Sequence, residues 1–559
     1  MSTLSRPIAP TLTESAAPTS RKARLRLRLP VIPLLVVAVT ALPIALLAAE
    51  LLTPRFDLWA ELWGTILPTM LGNTLLLMVG VGTGTLVIGT GLAWLVTTHE
   101  FPGRAVLERL LLLPLAVPAF VMGFTFMSLF DYAGPVQTAW RSLFGRGAPF
   151  PDIYSGGSAI LVMTLVLYPY VYMLARAAFR EQAGTTLEAA RALGCTRRGA
   201  FLRLVLPMAR PSLAAGVSLA LMEAMTDFAT VRFFSFPTIS EGVVRLWEGR
   251  MDRAAASELA SLLMVFALSL LLVERWMRGR ARFHQQGGKG RRIARLRLRG
   301  WRAFAAFSAC ASVLFFAFLL PVSQLILWAL AEVRGLIPGT WDTVYWQYVG
   351  NSFSLAGGGA LLTVCLALLL AHSGRVWKSR LVRAAARLGT LGYALPGSVV
   401  AAGVLLTLAP IDRAVGSVLG TGLILTGSVA GLLYAYLVRF MAVAYQSVDA
   451  SMVKVKPSME EAARTLGASH FRILRRIQVP LIVNGALAGL ILVFVDIMKE
   501  LPATLLLRPF GMDTLGVWAY MLAAESYWQA ASIPALTIVV VGLLPVLLLM
   551  RSGEDASAT

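Results

Sequence analysis

The sequence predicts an all-α polytopic membrane protein of about twelve transmembrane helices, arranged as two parallel six-helix repeats. Three observations predict it. First, 559 residues with 57% hydrophobic and only 14% charged side chains, at a mean hydropathy of +0.73, lie far from soluble domains, where about 25% of residues are charged. Second, the formal net charge of +21 is gathered in short Arg and Lys runs between apolar stretches. That is the pattern of cytoplasmic loops, and it excludes a nucleic-acid surface as the reason for the charge. Third, Glu188-Ala-Ala-Arg-Ala-Leu-Gly194 with Pro207 recurs as Glu461-Ala-Ala-Arg-Thr-Leu-Gly467 with Pro480. Glutamate, glycine and proline are each 273 residues apart, so the chain contains a duplication in one register.

Taken in order, residues 1–28 are rich in Ser, Thr, Pro and Ala and then in Arg and Lys, which predicts a disordered basic cytoplasmic tail. The apolar run Leu29–Ala49 is longer than the 7–15 residue core typical of a signal peptide, so it reads as an uncleaved first span with the amino terminus in the cytoplasm. It opens a first half, residues 29–274, whose further spans are expected at Ile66–Thr98, Leu110–Phe130, Ile153–Ala175, Pro207–Phe234 and Ala254–Val273. Residues 275–302 hold eleven basic residues and no acidic one. They are expected to form a cytoplasmic linker.

The second half, residues 303–551, offers Ala303–Ala331, Asn351–Gly374, Leu388–Ile411, Ala414–Val438, Ile477–Leu507 and Ser526–Met550, before a cytoplasmic tail at 552–559. Six spans in each half give both repeats the same orientation. Both Glu-Ala-Ala segments then face the cytoplasm, and residues 131–152, 332–350 and 506–530 face outside. Asn73 and Pro118 match Asn351 and Pro396 at an offset of 278, so a loop shortens by five residues between these landmarks and the Glu-Ala-Ala segment. Gly80, Gly82 and Gly84, with Gly357, Gly358 and Gly359, are placed to let the second span of each half pack closely. Cys195, Cys310 and Cys365 and the four histidines are scattered, which predicts neither a disulfide framework nor a metal site.

Glu188 to Leu193 are good helix formers, Gly194 is a natural terminator, and a basic amphipathic stretch follows before Pro207 opens the next span. The result is a helix, turn and helix on the membrane surface, suited to a protein partner with a basic groove. No Gly-x-x-x-x-Gly-Lys-Ser/Thr loop occurs, so no ATP site is expected in this chain. The span after each copy carries two acids, Glu223 and Asp227, then Asp496 and Glu500. Their i, i+4 spacing sets each pair on one helix face, and charge at membrane depth is costly enough to demand a cavity or a partner. Two readings stand side by side. The four carboxylates line a path for a hard cation, or Lys499 pairs with Asp496 or Glu500 and Arg232 with Asp227 to fix helix packing.

The double motif (Glu-Ala-Ala, three residues, Gly, nine residues, an aliphatic, one residue, an aliphatic, Pro) resembles that of permease subunits of binding-protein-dependent, ATP-driven (ABC) importers. Here two such halves are fused. The resemblance implies the MetI-like importer fold in a bacterial inner (plasma) membrane with both termini cytoplasmic. It implies ATPase coupling through Glu188, Ala189, Ala190, Gly194 and Pro207 and through Glu461, Ala462, Ala463, Gly467 and Pro480. It also implies two cytoplasmic ATPase subunits, which hold ATP and Mg while this chain holds no cofactor, and a periplasmic solute-binding protein. The chain is then a transport subunit and not an enzyme. Thr226–Thr238 and Asp496–Phe510 look like the corresponding stretches of bacterial ferric-iron importers, departing at Ser235, where Gly is expected, and at Arg232. Ferric iron is the expected cargo. Thiamine or a phosphonate moved by the same machinery, and a twelve-span ion-driven secondary transporter, are the alternatives.

Overall fold

Hydrocarbon offers no partner for a backbone N–H or C=O, so each apolar run must satisfy its own polar groups as a helix. The structure is a computed structural model and describes residues 31–249, 252–278, 295–335, 343–377, 380–419 and 424–558; the expected tail at 1–28 and most of the linker lie outside them. Among the described residues, twelve helices are long and apolar enough to cross a membrane. In the first half the spans are built on α1 (Val31–Glu50), α2 (Leu67–Thr98), α3 (Ala119–Phe130), α4 (Gly156–Ala192), α5 (Leu206–Thr226) and α6 (Arg253–Arg278). In the second half they are α7 (Trp301–Val333), α8 (Thr343–Val376), α9 (Gly397–Leu419), α10 (Val429–Met452), α11 (Val479–Met498) and α12 (Trp528–Ala558).

Several boundaries differ from expectation for identifiable reasons. The third span does not start at Leu110: Leu113–Ala116 form a 3-10 turn, Pro118 is extended, and the helix begins at Ala119. Leu391–Ala394 and Pro396 repeat this before α9. The run expected at Ala414–Val438 forms no span in that register. α9 continues to Leu419, Asp412 within it accepts the backbone N–H groups of Ile424, Leu425 and Thr426, and α10 starts only at Val429. The fifth and eleventh spans are also interrupted. α5 ends at Thr226 and α11 at Met498, and each is followed by a short helix, Ala229–Phe233 or Pro502–Leu507.

Proline sets a second regularity. Among the described residues, π turns at Phe201–Val205, Phe315–Leu319 and Leu474–Gln478 each end two residues before a proline: Pro207, Pro321 and Pro480. Proline lacks the N–H and presses on the carbonyl one turn back, so the preceding turn widens.

Close packing of α2 on α4 uses two of the expected glycines. A Cβ on Gly84 would lie 2.6 Å from Thr164 Oγ1, and one on Gly80 would lie 2.7 Å from Ile160. In the second half only Gly359 plays this part, 2.8 Å from Ile497, while Gly357 faces open space. α1 crosses to the second half and lies against α8 and α9. The carboxyl end of the linker is pinned to the first half by a two-residue parallel pairing of His99–Glu100 with Leu296–Arg297.

Candidate substrate passage and coupling faces

The breaks after α5 and α11 set the position of the acids. Glu223 lies in the last turn of α5, whereas Asp227 follows the helix end with an extended ψ of 104°, so the two do not share one continuous helical face. Asp227 instead opens the next short helix, accepting the Thr230 backbone N–H at 2.9 Å and its hydroxyl at 2.5 Å. Glu500 does the same in the second half, accepting the Ala503 N–H at 2.8 Å.

All four acids line one cavity of about 150 Å3 between the halves. Its walls follow the duplication. Val166 and Arg439, Leu167 and Phe440, Glu223 and Asp496, Thr226 and Lys499, Asp227 and Glu500, and Phe228 and Leu501 all line it, and the members of each pair are 273 residues apart.

The acids are not equally engaged. Glu500 is paired with Arg439, Nε to Oε2 at 2.9 Å, and these side chains are 3% and 8% exposed. Arg439 Nη1 is buried with no hydrogen-bond partner. Lys499 donates to the Leu115 carbonyl across the halves at 2.7 Å, not to Asp496 or Glu500. Arg232 reaches Glu248 at 3.6 Å and the Tyr520 hydroxyl at 2.9 Å, not Asp227. None of the packing pairs expected from sequence is made as a direct hydrogen bond or contact ion pair, and Lys499 and Arg439 act on the Glu223 and Asp496 carboxylates through space. No group of three or more His, Cys, Asp or Glu is spaced to hold a metal ion among the described residues. Sequence reasoning missed Arg439 because it placed that residue beyond the end of a span.

A second, wider recess of about 580 Å3 is formed by the segments that follow the two short helices, with Trp247, Glu248, Arg253, Arg508, Phe510 and Asp513 in its wall. Arg508 pairs with Asp513 at 2.6 Å. Burial pushes the Glu248 carboxyl above its usual range, opposed by Arg232 and Arg508. Phe510 is fully exposed. Ser235, where glycine was expected, takes the left-handed conformation glycine favours, φ +52°. It ends its short helix with bonds from Ser235 N to Arg232 O and from Phe236 N to Val231 O.

The two Glu-Ala-Ala segments end alike. Gly194 and Gly467 both have φ +81°, and the next residue closes the helix, Cys195 N to Ala190 O and Ala468 N to Ala463 O, each at 2.9 Å. This is the Schellman termination that requires a left-handed residue. Glu461 and Ala462 are exposed, Ala463 is half-buried and Ala190 is buried; the backbone of Glu188 and Ala189 is helical. Pro207 and Pro480 start the next spans. Leu193 and Leu466, beside the two glycines, are 84% and 86% exposed. An apolar side chain is thus exposed at the same position of both copies.

A model of the family described as binding-protein-dependent transport system inner membrane component matches residues 85–279 and again 363–553. The Fe(3+)-transport system permease protein FbpB 2 of Haemophilus influenzae is 28% identical over 483 residues, covering 86% of this chain and 89% of that protein. The sulfate transport system permease protein CysT of Escherichia coli is 30% identical over 249 residues, 43% of this chain and 86% of that protein. The molybdenum transport system permease protein ModB of Escherichia coli is 28% identical over 195 residues, 34% of this chain and 83% of that protein.

Proposed function

We propose ferric iron as the cargo of this chain, which belongs to the family of binding-protein-dependent transport system inner membrane components and carries that unit twice in one polypeptide. It is a multi-pass transport subunit of an ABC importer in the inner membrane, not an enzyme. The observation that carries the iron reading is the balance of the cavity wall, four carboxylates against Arg439 and Lys499, with Glu500 in a contact ion pair and Glu223 and Asp496 reached by the two cations only through space. Oxygen donors in excess negative charge suit a hard cation. An oxyanion such as sulfate meets repulsion there, about 4 kcal/mol per unit charge pair at 4 Å with an effective dielectric of about 20. A cavity of about 150 Å3 has room for several waters and so for an ion with part of its hydration shell. A relative that spans both halves is named for Fe(3+) transport, whereas the sulfate and molybdenum permeases each match a stretch about one half long.

In this reading a periplasmic solute-binding protein docks over the external recess. Two cytoplasmic ATPase subunits, which hold the ATP and Mg, dock on the Glu-Ala-Ala segments at Glu188 and Glu461. Both termini face the cytoplasm, set by the basic linker. Closure of the ATPases moves the helices and opens the cavity first to the receptor, then to the cytoplasm. The test is ATP-driven uptake by proteoliposomes holding this chain with its ATPase and receptor, offered radioactive ferric iron alone and against thiamine, a phosphonate or sulfate. Iron uptake unaffected by the other three is expected. Uptake of any of them in place of iron overturns the proposal.

A further inference from the structure

The two coupling segments are alike in sequence but joined to their spans differently. In the first half α4 runs unbroken for 37 residues from Gly156 to Ala192, so the Glu188 segment is the end of the span itself. In the second half α10 stops at Met452, the chain turns, and a separate helix Pro457–Thr465 carries Glu461. Motion applied to that helix has no continuous helical backbone through which to reach α10.

A polar clasp takes its place. Glu460, beside the motif glutamate, is 6% exposed while Glu461 is exposed. Its Oε1 accepts from Arg375 Nη1 at 3.0 Å and from Gln478 Nε2 at 2.9 Å. Arg375 Nη2 also donates to the Val455 carbonyl at 2.8 Å, closing the turn. Gln478 Oε1 meets His372 Nδ1 at 2.6 Å. His372 and Arg375 belong to α8, and Gln478 ends the π turn that leads into α11. The far end of α11 carries Asp496 and is followed by Lys499 and Glu500 at the cavity.

The first half fills the equivalent place with hydrocarbon. The repeat matches His372 with Trp94 and Gln478 with Val205. Trp94, Phe179 and Phe201 pack together there, Trp94 tilted on Phe201 with ring centroids 4.1 Å apart and edge-to-face with Phe179 at 5.8 Å.

We infer that Glu460 is the positioning residue through which the second Glu-Ala-Ala helix moves α8 and α11, a task the unbroken α4 performs in the first half. The inference rests on the coupling role proposed for these segments. Glu460 acts through Arg375 and Gln478 and touches neither solute nor nucleotide.

The test uses the full chain in complex with its ATPase and receptor, comparing Glu460→Gln with the charge exchange Glu460→Arg/Arg375→Glu. Solute carried per ATP hydrolysed is read beside co-purification of the ATPase. The wild-type complex is measured first: if loaded receptor does not stimulate its ATP hydrolysis, the coupling role itself fails, before any variant is considered. With that in hand, Glu460→Gln is expected to keep the ATPase bound and hydrolysing while transport per ATP falls about tenfold, a modest share of what a broken buried pair costs. The exchange is expected to recover at least half of the loss. Normal transport per ATP in Glu460→Gln overturns the inference. So does loss of ATPase co-purification, which makes Glu460 a docking residue, and so does an exchange no better than the single change. If Glu460→Gln does not accumulate in the membrane, Glu460→Asp, which keeps the charge, decides: coupling as in wild type supports the clasp, and coupling lost with the ATPase still bound and the charge intact overturns it.

Discussion

Removing Arg439 leaves Glu500 buried without its cation, and the cost follows from their geometry. At 2.9 Å and an effective dielectric of about 20 the direct attraction is about 6 kcal/mol. Desolvation offsets part of this, and breaking one side of a buried pair costs roughly 3–5 kcal/mol in practice. Glu500 keeps the Ala503 N–H at 2.8 Å, so Arg439→Met is expected at the lower end, about 3 kcal/mol. Membrane proteins of this size unfold irreversibly, so the loss is read as a shortened half-life of the folded, monodisperse protein in detergent at fixed temperature. Arg439→Met/Glu500→Gln, which removes both charges, is expected to recover most of the half-life, and the cycle of single and double variants isolates the pair. An Arg439→Met protein as durable as wild type, or a double variant no better than the single one, contradicts a structural ion pair at the cavity wall.

Three further outcomes are expected. Glu188→Lys or Glu461→Lys weakens ATPase co-purification at least about tenfold, equal to about 1.4 kcal/mol, while the chain stays in the membrane; unchanged co-purification for both removes the coupling role from these glutamates. Leu193→Asp and Leu466→Asp, at side chains 84% and 86% exposed, leave detergent half-life unchanged but reduce ATPase binding, and a stability loss without a binding loss would falsify the docking-face reading. Ser235→Gly, at φ +52°, removes a left-handed conformation costing about 1–2 kcal/mol and adds about 0.5–1 kcal/mol of backbone entropy. A small gain in detergent half-life is expected, and a clear loss shows that the Ser235 side chain contributes more than its backbone costs.

Much of this was legible because duplication and hydropathy are one-dimensional signals. The offset of 273 located both Glu-Ala-Ala turns, and the left-handed glycines 194 and 467 sit where that offset put them. It also found the four acids, which do meet in one cavity. What it missed depends on contacts made far along the chain. Arg439 sits within a span because Glu500, some sixty residues on, neutralises it, and a hydropathy window cannot register that. Asp412, inside α9, likewise holds the segment before α10 by accepting N–H groups twelve to fourteen residues on. The i, i+4 rule assumed a continuous helix through Asp227, whereas Asp227 instead caps the short helix that follows. Glu460 was hidden beside Glu461, since only burial separates a clasp from a docking face. The clue within reach was the repeat itself: Trp94 against His372 and Val205 against Gln478 are polar replacements at paired positions, and they mark where the halves diverge.

The central claim is that ferric iron crosses between the halves past Glu223 and Asp496. ATP-driven uptake of radioactive ferric iron by proteoliposomes holding Glu223→Gln/Asp496→Asn tests it most directly, with receptor-stimulated ATP hydrolysis measured in the same vesicles. Hydrolysis that persists while iron uptake falls at least about tenfold, a barrier increase of about 1.4 kcal/mol, is the expected result. Iron uptake at the wild-type rate through a cavity stripped of both carboxylates contradicts it.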